Sequence, residues 1–306
     1  MAGTGRFQIS RRGWGSCRYL QDSDMVDERM AVVTGASGGI GLETARGLAE
    51  RGYHVVLLCR NPAKADAARA DIESTVPRAS LDIVLADLSR LEQVRTAAAE
   101  ITERLERLDV LVNNAGIVAR HREVTPEGLD LPLATNHLGP FLFTILLVPL
   151  LRKSAPSRIV MVASEAHKFS KLHLDELESP RSYGPLGMRR YGETKLMNIL
   201  FTRELARRLA GSGVTVNAVH PGTVATNLGE PPKVIAKMTS LFMRTPAEGA
   251  ATSVLVATDP AVETVTGGYF MNGKRADKKL SREARNDDLA KALWDRSEQL
   301  ADVHFA

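Results

Sequence analysis

From Met30 onward the chain alternates short β-branched runs with longer stretches whose apolar residues recur at helical spacing. Seven runs read as strands, over 30–34, 54–58, 81–85, 109–113, 158–163, 214–219 and 267–270. Most are apolar at nearly every position, as parallel strands covered by helices on both faces must be. Between them the spacing predicts helices over 39–51, 62–75, 89–106, 128–153, 191–211 and 246–257, each closed by Gly, Pro or a polar cluster. The alternation predicts one α/β domain, a doubly wound parallel sheet of about seven strands with helices on both faces, over residues 28–275. Met25 and Met30 directly precede the first strand, so residues 1–27 read as an unstructured N-terminal extension, and residues 276–306 read as a polar C-terminal tail.

Composition narrows the class without changing that picture. The 306 residues are 44% hydrophobic and 25% charged, which excludes disordered, collagenous and disulfide-scaffold chains. Forty basic against 36 acidic residues leave a net charge of +4 spread along the chain, so no nucleic-acid partner is expected. Two cysteines, Cys17 and Cys59, make no disulfide framework and fit a reducing, cytoplasmic setting. The longest apolar run, Phe141–Leu151, falls short of the ~20 residues that cross a bilayer, so no transmembrane segment is expected. Ser10-Arg11-Arg12 has no apolar h-region behind it, which discounts twin-arginine export. The histidines offer no metal set.

The first strand runs into Thr34-Gly35-Ala36-Ser37-Gly38-Gly39-Ile40-Gly41 and straight on into a helix. Such a turn lets backbone approach a pyrophosphate while the helix N-terminus offers free N–H groups and a positive dipole end. The glycine interval departs from G-x-G-x-x-G, and a tight turn alone could also require these glycines. The second strand ends at Cys59-Arg60-Asn61, with no acid to take the adenosine ribose. Arg60 offers a guanidinium fork suited to a 2′-phosphate, which favours NADP(H) and leaves NAD(H) as a possibility. Asp87, after the third strand, either holds an adenine amino group or caps the next helix. Asn113-Asn114-Ala115-Gly116, after the fourth, reads as a cleft lining or as a polar turn holding the sheet end. Ser164 follows the fifth strand, and Tyr191 and Lys195 stand four apart on one helical face. A phenol beside an ammonium becomes a usable general acid/base at neutral pH.

Together TGASGGIG, NNAG, Asn136, Ser164, Tyr191-x-x-x-Lys195 and His220-Pro221-Gly222-Thr223 resemble the short-chain dehydrogenase/reductase family, whose pattern covers about residues 29–275. TNHLGPFLFT, EAH and VNAVHPGTV are similar to its retinol-dehydrogenase-like branch, which acts on lipophilic carbonyls and alcohols. The resemblance implies a Rossmann fold and a catalytic tetrad of Asn136, Ser164, Tyr191 and Lys195. Ser164 would orient the substrate oxygen and Tyr191 exchange its proton. Lys195 would bind the nicotinamide ribose and lower the tyrosine pKa, and Asn136 would hold a relay water. Cofactor contacts are implied from Gly35, Ser37, Gly38, Gly39, Ile40 and Gly41, and from Arg60, Asn61, Asp87 and Leu88. They are implied also from Asn114, Ala115 and Gly116, from Tyr191 and Lys195, and from Pro221, Gly222 and Thr223. A homodimer or homotetramer pairing through the 128–153 and Tyr191 helices is expected on the same ground.

Two regions stay open. Tyr191 stands 27 positions after Ser164, and the stretch between them carries Phe169, Leu172, Leu174, Tyr183, Leu186 and Met188, either an apolar wall over the substrate or a surface loop. In the substrate loop, 223–245, Val234, Ile235, Met238, Leu241 and Phe242 form one helical stripe that covers either the substrate or the core. Two rival functions are a non-catalytic NADPH-sensing protein, which would not need a tuned phenol, and an extended-type epimerase or dehydratase, which would need a larger C-terminal region.

Overall fold

The computed structural model describes residues 28–223 and 244–305. The expected N-terminal extension, most of the substrate loop and the stripe from Val234 to Phe242 lie outside the described residues.

The elements run β1 (Met30–Thr34), α1 (Gly39–Ala49), β2 (His54–Cys59), α2 (Pro62–Thr75), β3 (Ser80–Leu85), α3 (Leu91–Arg104), β4 (Val110–Asn113) and α4 (Leu131–Lys153). There follow β5 (Ser157–Val162), α5 (Met188–Arg208), β6 (Val214–His220), α6 (Pro246–Thr258), β7 (Tyr269–Met271), β8 (Lys274–Arg275) and α7 (Asp287–Ala301). The strands form one sheet in the order β3-β2-β1-β4-β5-β6-β7-β8, parallel except for β8. The chain winds outward from β1 through β2 and β3, then returns beside β1 with β4 and winds the other way. That reversal opens a crevice at the carboxyl ends of β1 and β4, where doubly wound sheets take their ligands.

Every residue of β2 is buried, which is why the run looked continuously apolar. One face of the sheet is covered by α1, α2 and α6, with Leu48, Ile72 and Val256 in contact with Val33, Val55 and Val160. The other is covered by α3, α4, α5 and α7, through Ile101, Phe141, Phe201 and Trp294. By length and composition α4 could cross a membrane, but 89% of its apolar stretch is buried inside the protein.

Three features differ from the sequence reading. An eighth strand appears because Asn272 and Gly273 both take positive φ, the backbone of a two-residue hairpin turn. Helix α4 opens with a wide π-turn over Ala134–Leu138. Pro140 has no N–H to give the carbonyl of Asn136 four residues back, so regular α-helix is interrupted there. The largest difference is in residues 276–306, which were read as a polar tail. Asn286 caps α7 by accepting the Leu289 N–H at 3.0 Å. Ala290, Leu293, Trp294, Ser297 and Ala301 form its buried stripe, and the Trp294 ring stacks on Phe201 and stands edge-on to Phe141. This helix was missed because its polar face outnumbers a stripe that shows its purpose only once α4 and α5 are in place.

Candidate active site

The glycine turn is shaped by close approach. Gly35 has φ +67°, and a Cβ there would stand 3.0 Å from the Cα of Ala115. At Gly41 a Cβ would meet the Gly35 carbonyl, 2.8 Å from its carbon, and the Asn114 amide. Gly38, by contrast, faces open space. No side chain caps α1 and no acid lies in its first turn, so its N–H groups and dipole are offered outward. Ile40 is buried behind the turn. Ser37 bonds the thiol of Cys59, which burial pushes up to about 11, an inert packing group.

Thr34, which the motif reading passed over, ties the turn to β4. Its Oγ1 accepts the main-chain N–H groups of Asn114 (2.9 Å) and Ala115 (3.0 Å), while the Asn114 amide donates to the Thr34 carbonyl at 2.9 Å. Its position, the last residue of β1 before the glycines, was the signal. Asn113 turns the other way and donates to Thr144 at 2.8 Å.

Arg60, 70% exposed at the end of β2, has Asp87 as its neighbour at 3.8 Å. Asp87 does not cap α3: its Oδ1 accepts the Ser89 N–H and hydroxyl in a tight turn, leaving Oδ2 toward Arg60. Asn61 caps α2 through Lys64 N at 2.9 Å, and Leu88 is buried. Pro221 is buried and Thr223 exposed, and the Thr223 carbonyl accepts the Arg244 N–H at 2.8 Å. Gly222, at φ +89°, lies against the Arg244 side chain.

The four tetrad residues converge. Ser164 follows β5, and its Oγ accepts the Ala166 N–H at 3.2 Å, which leaves its hydroxyl hydrogen free. The phenol of Tyr191 stands near that hydroxyl, and burial pushes it up to about 12. Lys195, only 2% exposed, donates from Nζ to the Val162 carbonyl at 2.9 Å and lies 5.5 Å from the Tyr191 ring centre. Burial lowers it to about 8. Asn136 sits in the π-turn with its amide committed: Oδ1 accepts Ile117 N at 2.8 Å, and Nδ2 donates to Ile117 O and to Thr194. A Cβ on Gly116 would be 3.3 Å from Lys195 Nζ and 3.4 Å from Asn136 Oδ1, so that glycine is the floor between them. Thr194, also missed, passes the contact on by donating to the Tyr191 carbonyl at 2.7 Å.

In the stretch between Ser164 and Tyr191, Leu172 and Tyr183 turn inward, whereas Phe169 (89% exposed), Leu186 and Met188 point out. Tyr183 bonds Asp130, which also pairs with Arg190 at 2.9 Å, and Arg190 reaches Glu193 at 3.0 Å. This buried network joins the start of α4 to the first turn of α5, beside Tyr191.

Residues 29–175 match the family model for short chain dehydrogenase. The chain is 39% identical to retinol dehydrogenase 14 of Homo sapiens, over 96% of this chain and 90% of that one. It is 40% identical to human retinol dehydrogenase 11, over 88% and 84%. Among solved structures, an uncharacterised protein from Mycobacterium paratuberculosis has a TM-score of 0.74 at 33% identity, covering 91% of this chain and 95% of that one. A variant actinorhodin polyketide ketoreductase solved with NADPH has 0.64 at 27%, covering 80% and 95%. The similarity to these relatives runs along nearly the whole chain, and the protein is an oxidoreductase of the short-chain dehydrogenase/reductase family, in its retinol-dehydrogenase-like branch.

Proposed function

We propose that the enzyme transfers hydride between NADP(H) and a lipophilic carbonyl or alcohol, of the retinal/retinol or long-chain aldehyde class. The observation that carries this is the meeting of Ser164, Tyr191 and Lys195 beside an open glycine turn. The residues present fit a dinucleotide. Gly38 leaves room for it, the uncapped N-terminus of α1 favours its pyrophosphate, and the exposed Arg60, held only at 3.8 Å by Asp87, would take a 2′-phosphate. Asp87 and Leu88 would border the adenine, and Asn114–Gly116 with Pro221–Thr223 the nicotinamide side. When bound, the nicotinamide supplies or accepts the hydride.

The protein's part is the proton. At neutral pH a phenol held at about 12 is protonated and gives its hydrogen to the carbonyl oxygen as that oxygen becomes an alkoxide. Ser164, whose Oγ already accepts an N–H, donates its hydroxyl hydrogen to the same oxygen and fixes its place. In the oxidative direction the alcohol proton would go to the phenolate form of Tyr191, which must first have released its own proton and which the ammonium of Lys195 favours. The Asn136 side chain donates both amide hydrogens, while its Oδ1 accepts a single N–H and keeps a lone pair for a relay water.

A lipophilic substrate is supported by Phe169, Leu186 and Met188, exposed on the two segments that carry Ser164 and Tyr191, and by relatives named for retinol. A cytoplasmic setting, supported by the free buried thiol of Cys59, and a homo-oligomer are part of the proposal. Because Trp294 of α7 already fills the face between Phe141 of α4 and Phe201 of α5, subunits would meet on another surface. A single-chain mass by light scattering at micromolar concentration would overturn the oligomer.

The deciding experiment follows NADPH and NADH consumption with retinal, decanal and small polar ketones, for the unmodified enzyme and Tyr191→Phe. The substitution is expected to lower turnover by about 10²–10⁴-fold with cofactor binding retained. Turnover of the polar ketones alone would refute the lipophilic substrate, and equal use of NADH would refute the NADP(H) preference.

A further inference from the structure

Two buried histidines stand next to proposed catalytic residues, and both reach into the C-terminal segment. His167, fully buried, lies in the short turn Glu165–Phe169 that follows Ser164. Its Nε2 accepts the main-chain N–H of Ser281 at 3.3 Å, so the hydrogen of the neutral ring sits on Nδ1. Nδ1 is 2.6 Å from the Ser164 carbonyl and donates to it, and the His167 N–H donates to the same oxygen at 3.3 Å. The ring stands edge-on to Tyr269 at 5.6 Å. The charged and titratable groups around it are Glu165 and Lys168 on its own turn, His220 of β6 and Tyr269 of β7. His137 follows Asn136 in the π-turn, with Nε2 2.9 Å from the hydroxyl of Ser297 on α7. That hydroxyl gives its own hydrogen to the Leu293 carbonyl at 2.7 Å, so His137 Nε2–H is the donor. Burial lowers both imidazoles, His137 to about 4, which keeps the rings neutral at physiological pH.

We propose that the C-terminal segment 276–305 positions the active site through these histidines, His167 aiming Ser164 and His137 steadying the turn that carries Asn136. The inference rests on the reading of Ser164 as the donor to the substrate oxygen. Two donors from one residue pin the Ser164 carbonyl and with it the direction of the Cα–Cβ bond, so the hydroxyl cannot drift from the Tyr191 phenol. The histidines lie 114 and 160 positions from their serines, so the site reaches its final geometry only when the last helix has docked.

Two substitutions separate the halves of the His167 contact. His167→Asn keeps a donor at the δ position and loses the acceptor for Ser281, whereas His167→Gln keeps an acceptor at the ε position and loses the donor to Ser164. With NADPH and decanal, His167→Gln is expected to lose about tenfold in kcat at unchanged KM for NADPH, and His167→Asn about threefold, since it keeps the donor to Ser164 but loses the link to Ser281. Every other pattern overturns the proposal, equal losses in both variants or losses that follow the melting temperature included. Ser164→Ala in the same assay tells this failure from the larger one: full activity there removes the role of Ser164 itself. Nitrogen-15 spectra of the labelled full chain test the same point without turnover. A protonated Nδ1 and bare Nε2 on His167, and a protonated Nε2 on His137, are expected; the opposite tautomer or an imidazolium on His167 at neutral pH refutes the proposal.

Discussion

The two sides of the crevice are built from different material. The nucleotide side, from β1 to α3, is mostly backbone: glycines without room for a Cβ, an uncapped helix end and strand termini tied by Thr34 and Asn114. The proton-transfer side is built from buried side chains that satisfy one another, with Asp130, Arg190, Glu193 and Tyr183 on one flank of Tyr191 and two neutral histidines on the other. A backbone site tolerates almost any neighbour but no added Cβ. A side-chain network tolerates changes of volume but not the loss of one partner, because the charge left behind stays buried.

The contrast is sharpest at Arg190, which is 1% exposed. Arg190→Met leaves Asp130 buried without its cation and Glu193 with Arg189 alone, and is expected to cost about 3–5 kcal/mol of stability by denaturant unfolding. Adding Asp130→Asn and Glu193→Gln should return most of it, and a triple variant as unstable as the single one would break the comparison. On the other side, Gly41→Ala should weaken cofactor binding by about 100-fold, because a backbone atom cannot step aside. Titration calorimetry with NADPH reads this, and the melting temperature is expected to fall as well, because the Gly35 carbonyl must be displaced. Arg60→Ala should raise the KM for NADPH by about tenfold and leave that for NADH unchanged, since an exposed guanidinium contributes one charge-assisted contact. The smallest effect is on pH. Lys195, lowered from 10.5 to about 8, is charged below that value and neutral above it, so kcat/KM should fall about fourfold between pH 7 and 8.5. Stability moves the other way: between about 8 and 10.5 the unfolded chain holds a proton that folded Lys195 has released, so this group's contribution to stability rises with pH.

The nucleotide side was readable because its chemistry is local: the turn from Gly35 to Gly41, the missing acid beside Arg60 and the Asn114–Gly116 segment each lie within a few residues. Tyr191 and Lys195 were readable for the same reason, one turn of one helix. What escaped was everything whose partner is remote. Asn136 was found, but not that its amide is tied to Ile117 and Thr194. His167 looked like an isolated polar residue until Ser281 set its tautomer. The stretch after Ser164 reads from the sequence as an apolar wall or a surface loop; in the structure Leu172 and Tyr183 anchor it while Phe169, Leu186 and Met188 face out.

The sequence by itself determined the doubly wound sheet and the place of its switch point, because strand periodicity, glycine turns and helical spacing are short-range properties of the chain. The tertiary structure alone decided that residues 287–301 are part of the core, where Trp294 meets two helices from the middle of the chain. It also decided the protonation of the buried histidines and the pairing of Arg190, because these depend on burial and on partners that come together only when distant segments pack.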